Sequence, residues 1–193
     1  MAFHDLVAHA RAFSTIDDPL REQLARGQAP VAMFITCSDS RIVPSAITGA
    51  RPGELFELRT AGNVIPAGRS EDAPTSEIAT IEFAINGLDV ADIILCGHSQ
   101  CGAVAAMTGA HDPARLPAVG RWLATATRTQ PAVQARDAGR RHLLAQFAAL
   151  AEIPLVRARV DRNELTLHCW FYDIGTGVVS QWADGDEPSF REL

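Results

Sequence analysis

Cys37, Asp39 and Arg41 alternate with serines in MFITCSDSRIVP (residues 33–44), directly after the apolar run at 31–35. About sixty residues later ILCGHSQCGAV (94–104) places His98 and Cys101 three apart, again just past an apolar run, at 91–96. Two thiolates and one imidazole form a borderline-soft set that suits zinc. Three protein ligands leave a fourth position open, which is the pattern of a catalytic rather than a structural site. Cys96, two residues before His98, reads as core inside its apolar run. Asp39 is placed to accept a hydrogen bond from water on the metal. Arg41 would hold Asp39 as a carboxylate through charge-assisted, bidentate bonds.

These residues converge only if two strands end side by side. Residues 31–36 and 91–96 both read as short buried strands, near-continuous in apolar and β-branched side chains. Helical pieces fill much of the rest. Two lie within 2–26, broken at STIDDP, where Pro19 can open the second after an Asp cap. PTSEIATIEFAINGL has apolar residues at 78, 81, 85 and 88, the helical period. GAVAAM starts a helix, and 116–127 and 131–151 read as two more. A short strand falls at 55–59 after the Pro52–Gly53 turn, and a loop at 64–75. ELTLHCWFYDIGTGVVSQW reads as two strands joined by a hairpin turn. Alternating strands and helices imply an α/β fold. The expected architecture is a mostly parallel central sheet with flanking helices and an antiparallel C-terminal edge strand. In such sheets ligands collect at the carboxyl ends of the strands. Residues 1–193 then form a single domain, with 1–26 a helical arm and 27–193 the zinc-binding core.

CSDSR followed by GHSQCG resembles the β-class carbonic anhydrases, which carry C-x-D-x-R and then H-x-x-C. The resemblance extends through PGELF, AGN followed by a Pro, IEFAI, ADIILCGH and the C-terminal H-x-W-x-YDI-x-TG, from about residue 25 to 182. It implies one zinc per subunit on Cys37, His98 and Cys101. It also implies the reversible hydration of CO2 to bicarbonate and a proton, with Asp39 and Arg41 as a catalytic dyad. Zinc lowers the pKa of bound water from 15.7 toward ~7, and the resulting hydroxide can attack CO2. Two thiolates cancel the formal charge of the metal, so something must compensate. A closed state at lower pH, with the aspartate on the metal, belongs to the same implication. So does a homodimer, or a dimer of dimers, with N-terminal helices packed across the partner. By position in the family pattern, Gln28, Phe56, Phe83 and the backbone of Gly102 would line the substrate pocket.

The chain departs from the family in places. Phe83 falls where many relatives have Tyr, which puts a proton-relay role there in doubt. Thr60 stands where Asn is common and should change only local hydrogen bonding; Cys169 replaces a frequent Gly and packs. Some bacterial relatives have an allosteric bicarbonate site built from a Trp, an Arg and a Tyr. Arg59 and Tyr172 match the last two, but Phe34 stands at the Trp position, so no such regulation is expected.

Each residue also has a plainer reading. Cys37 could be a buried free thiol, as cysteines often are. Asp39 and Arg41 could be an ordinary ion pair near a sheet end, and His98 a satisfied loop histidine. Their company argues against all three. His4, His9, His111, His142 and His168 have no such company and read as structural or exposed. Gln28 could be a loop residue, Phe56 and Phe83 core, and Trp122, Trp170 and Trp182 packing or interface residues.

The 193 residues are 47% hydrophobic and 21% charged with a net charge of −6, enough for one sizeable core. No Lys/Arg cluster suggests a nucleic-acid partner. No apolar stretch reaches a membrane span or a signal peptide, so a cytoplasmic enzyme of CO2 and bicarbonate is expected. Four cysteines without a secretion signal favour metal or catalysis over disulfides. Two rivals stay open: a carbonyl sulfide or carbon disulfide hydrolase on the same scaffold, and a non-catalytic zinc- or redox-sensing module.

Overall fold

Backbone hydrogen bonding in six strands organises the computed structural model, which describes residues 1–13, 18–66, 75–109, 115–126, 137–184 and 188–193. Two helices lead in, α1 (Phe3–Arg11) and α2 (Asp18–Ala25). Asp5 accepts the Ala2 N–H and closes the first turn of α1. No residue of α1 is buried, and Phe3 is 80% and Leu6 53% exposed. His111, most of the 64–75 loop and the first residues of the expected 131–151 helix lie outside the described residues.

β1 (Ala32–Cys37) and β3 (Asp92–His98) are neighbours, each flanked by a further parallel strand, β2 (Leu55–Thr60) and β4 (Thr166–Tyr172). The order is β2–β1–β3–β4–β5–β6. All of β1 is buried, as is β3 after Asp92, which is why both read as unbroken apolar runs rather than alternating ones. Where one antiparallel edge strand was expected there are two, β5 (Val179–Ala183) and β6 (Ser189–Glu192). SFRE carries one apolar residue, too few to signal a strand. That residue, Phe190, packs edge-on against Phe171 and Trp182, which accounts for the pairing.

The main core lies on one face of the sheet. Met33, Ile35, Ile93, Leu95, Cys169 and Phe171 meet α4 (Ser76–Glu82), α7 (Ala138–Ala151) and α8 (Pro154–Asp161). A smaller cluster of Ala32, Phe34, Ile94 and Cys96, with Trp170 and Tyr172 against it, occupies the other face. Thr75 caps α4 by accepting from the Ile78 N–H. The helical period does not run through to Leu88, because Phe83–Gly87 widens into a π turn closed by Leu88 N–H to Phe83 O. Phe83, two residues past buried Ile81 and so on the opposite side of the helix, is 50% exposed, while Ala84 and Ile85 stay in the core. α3 (Pro44–Thr48), α5 (Gly102–Met107) and α6 (Pro117–Leu123) complete the described helices. A Cβ on Gly97 would stand 3.1 Å from the Leu143 Cβ, so glycine there lets α7 lie close against the end of β3 without displacing Leu143.

Candidate metal centre

The parallel register sets Thr36 opposite Cys96, so β1 and β3 finish together. Cys37 ends β1, His98 ends β3, and Cys101 begins α5 as its N-cap. All three are buried, and their ligand atoms lie within 4.8 Å of one another. The two sulfurs are 3.9 Å apart. Two ligands ~2.3 Å from a shared tetrahedral centre would stand about 3.8 Å apart. His98 Nδ1 sits 2.8 Å from the Ser99 carbonyl, which assigns the ring proton to that nitrogen. Its Nε2 is buried and finds no hydrogen-bond partner among the described residues. A buried polar atom without a partner costs stability unless something binds it. A cation between the sulfurs and Nε2 resolves that, so the residues fit zinc.

Electrostatics agree. The side-chain bond with Cys101 holds the Cys37 thiol below the ordinary thiol range against the opposing effect of burial, and the Gly62 N–H adds to it. The same bond raises Cys101, since both sulfurs cannot be anionic at this distance without a cation. Cys96 and Cys169 are different: burial pushes Cys96 up to about 12, and Cys169 is likewise raised, so both are inert core thiols.

Asp39 faces the arginine. Oδ1 accepts from the Arg41 backbone N–H at 3.0 Å and from Nε at 2.9 Å, and Oδ2 accepts from Nη2 at 2.8 Å. These bonds, led by the guanidinium, hold the Asp39 carboxyl well below the usual carboxylate range. Gln100 completes the latch, a role its sequence context did not signal. Its side-chain Oε1 accepts from Arg41 Nη1 at 3.3 Å and its backbone carbonyl from Nη2 at 3.2 Å. Gln100 has a left-handed backbone, φ +57°, which turns that carbonyl toward the arginine.

Arg59 is engaged elsewhere. Its Nη2 reaches the carbonyls of Cys37, Asp39 and Ile42 at 2.8–3.1 Å and clamps the loop that carries the dyad. Thr60 Oγ1 is buried without a hydrogen-bond partner among the described residues. Two residues read as packing or structural also bond to this region. Trp122 Nε1 donates to Ala61 O at 2.9 Å, and His142 Nε2 to Gly62 O at 2.7 Å.

The expected pocket residues divide. Gly102 follows Cys101 directly, and a Cβ there would meet nothing within 4 Å, so open space adjoins its backbone. Phe56 lies opposite Met33, four residues before Cys37 in register. That separation is about 13 Å along a parallel strand. Phe83 packs on Phe56 at 5.9 Å between ring centroids. Gln28 precedes β1 at the end of the sheet away from the cluster. Within one chain, Gln28, Phe56 and Phe83 do not reach the metal ligands.

The family described as carbonic anhydrase matches this chain over residues 32–179. A carbonic anhydrase of Pseudomonas aeruginosa is 42% identical over 184 residues, 90% of this chain and 82% of that protein. Carbonic anhydrase 1 of Escherichia coli O157:H7 is 37% identical, over 91% of this chain and 84% of its own length. Among solved structures, the β-carbonic anhydrase CcaA superposes with a TM-score of 0.83 at 34% identity, covering 98% of this chain and 89% of its own. A structure described as a tetrameric β-carbonic anhydrase from Sordaria macrospora gives 0.72 at 26% identity, covering 96% and 98%.

Proposed function

Since the chain belongs to the β-class carbonic anhydrases, we propose a division of labour among its residues for the zinc-dependent, reversible hydration of CO2 to bicarbonate and a proton. Cys37, His98 and Cys101 hold the ion, and the unpartnered Nε2 of buried His98 is the observation that carries the assignment. Bound zinc supplies Lewis acidity, bringing the pKa of a coordinated water toward ~7.

The remaining steps belong to the protein. A carboxylate offers about four acceptor positions. Arg41 takes both on Oδ1 and one on Oδ2 of Asp39, so the last acceptor position is on Oδ2. Oδ2 accepts a hydrogen bond from the attacking water and so aims a lone pair of its oxygen at the carbon of CO2. Arg41, fixed by Gln100, keeps that oxygen in place. The space beside Gly102 receives the product oxygens. Stopped-flow CO2 hydration by the zinc-loaded protein across pH 7–9 tests this, with carbonyl sulfide as a comparison substrate. Hydration at the alkaline end with the higher kcat/KM for CO2 is expected; no hydration there would overturn the reading.

If Gln28, Phe56 and Phe83 touch substrate, they touch it in a second copy's site. The exposed apolar residues of α1 support a homodimer, with the 1–26 arm lying on the partner and dimers able to pair further. The tetrameric relative is consistent with that assembly. Four buried free cysteines suit a reducing cytoplasm, and no helix among the described residues is long and apolar enough to cross a membrane. Subunit mixing checks the shared site. His98→Ala and Phe83→Asp subunits, each inactive alone, should together recover about a quarter of the parent activity, because half the dimers are hybrids with one intact site of two. No recovery would mean that Phe83 does not line a site shared between two copies.

A further inference from the structure

The Ala61–Gly62 peptide lies between a tryptophan and a metal ligand. Its carbonyl accepts the Trp122 indole N–H at 2.9 Å. Its N–H donates to Cys37 Sγ at 3.4 Å. The next peptide is held too, by His142 Nε2 on Gly62 O at 2.7 Å. Gly62 has φ +77°, and a Cβ there would stand 2.8 Å from the Ala103 Cβ, so this turn exists only with glycine. Pulling from both sides fixes where its N–H points.

We propose that Trp122 and His142 are positioning residues for the Cys37 thiolate: Trp122 polarises the peptide that donates to Cys37 Sγ, and His142 holds the turn that aims it. The inference rests on Cys37 being a zinc ligand. Hydrogen bonds in series through one peptide strengthen each other by roughly 10–30%. A donor on the sulfur draws charge off it, and partners outside the ligands tune a metal site in this way. That answers the problem set by two thiolates, which would otherwise cancel the charge of the metal.

The test reads the metal rather than the reaction. The cobalt-substituted protein shows a sulfur-to-metal charge-transfer band, and competition with a chromophoric chelator gives the zinc affinity. Trp122→Phe keeps the ring but deletes the N–H. It should move the band to lower energy and weaken zinc binding roughly tenfold, the low end for loss of such a partner. His142→Phe should do the same, and His142→Gln, which retains a donor, should recover most of the loss. Trp170→Phe, whose indole bonds Gln181 instead, should match the parent. Cys37→Ser separates the two readings. If it alters the band while Trp122→Phe and His142→Phe do not, the relay is wrong and the ligand stands. If Cys37→Ser leaves the band unchanged, the ligand assignment itself fails. Should Trp122→Phe lower the melting temperature, the comparison of His142→Phe with His142→Gln still decides.

Discussion

Replacing His98 with alanine should give a folded chain that hydrates CO2 no faster than solution and binds zinc more than roughly a hundredfold more weakly. Outer partners of ligands are worth 10–100-fold in metal affinity, so losing a ligand must cost at least that. The asymmetry between fold and function is the informative part. His98 Nε2 has no hydrogen-bond partner among the described residues, so deleting it breaks no such bond of the fold. The substitution does break the Nδ1 bond to the Ser99 carbonyl, worth about 1 kcal/mol. A side chain this buried, 2% exposed, with its Nε2 unpaired among the described residues, has a free lone pair that suits a bound ion. Melting temperature, zinc content and stopped-flow rate measured together separate the two. His168→Ala is the control. Its Nε2 pairs with Asp92 Oδ1 near the start of β3, away from the cluster, so zinc content and rate should be unchanged. A His98→Ala protein that keeps its zinc and its rate would disprove the ligand set.

What was legible in the chain was what strand burial and side-chain chemistry both mark. Residues 31–36 and 91–96 announce themselves because a strand covered on both faces has no polar alternation, and a parallel pair of such strands ends level. Chemistry-bearing residues immediately after both ends therefore had to meet. Gln100 and Trp122 were not legible, for opposite reasons. Gln100 acts through a left-handed carbonyl, a conformation that no side-chain type at that position announces. Trp122 and His142 bond to backbone carbonyls 61 and 80 residues away, and every residue offers such an acceptor. Phe83 reads as core by residue type alone, but it lies off the 78, 81, 85 stripe and is half exposed beside Phe56. α8 and β6 are short elements, of eight and four residues, and their signals are weak; packing against the sheet and its neighbours decides them.

Asp39→Asn should retain zinc and lose about 10²–10³ in kcat/KM, the scale for losing one preorganised hydrogen-bond partner of the reacting atoms. Asparagine keeps the shape but has one acceptor oxygen where aspartate has two. Arg41 presents N–H donors to both Oδ1 and Oδ2, so either amide orientation sets an NH2 group against a guanidinium N–H. With the oxygen at the Oδ1 position, the amide nitrogen takes the place of Oδ2 and cannot accept from the attacking water. With the oxygen at the Oδ2 position, the bonds from the Arg41 backbone and Nε are broken, and the loop between Cys37 and Ile42 slackens. Both outcomes cost rate and neither removes a metal ligand. Arg41→Lys is the milder companion: it keeps a positive charge but not the planar fork, and it gives up Nη1 to Gln100. Its loss should be nearer tenfold. The order Asn worse than Lys, with zinc content constant across both, distinguishes an aimed carboxylate from a loop ion pair, for which breaking either partner would cost alike. Loss of zinc together with rate in Asp39→Asn would instead make Asp39 a support of the cluster, acting through the backbone that Arg59 clamps.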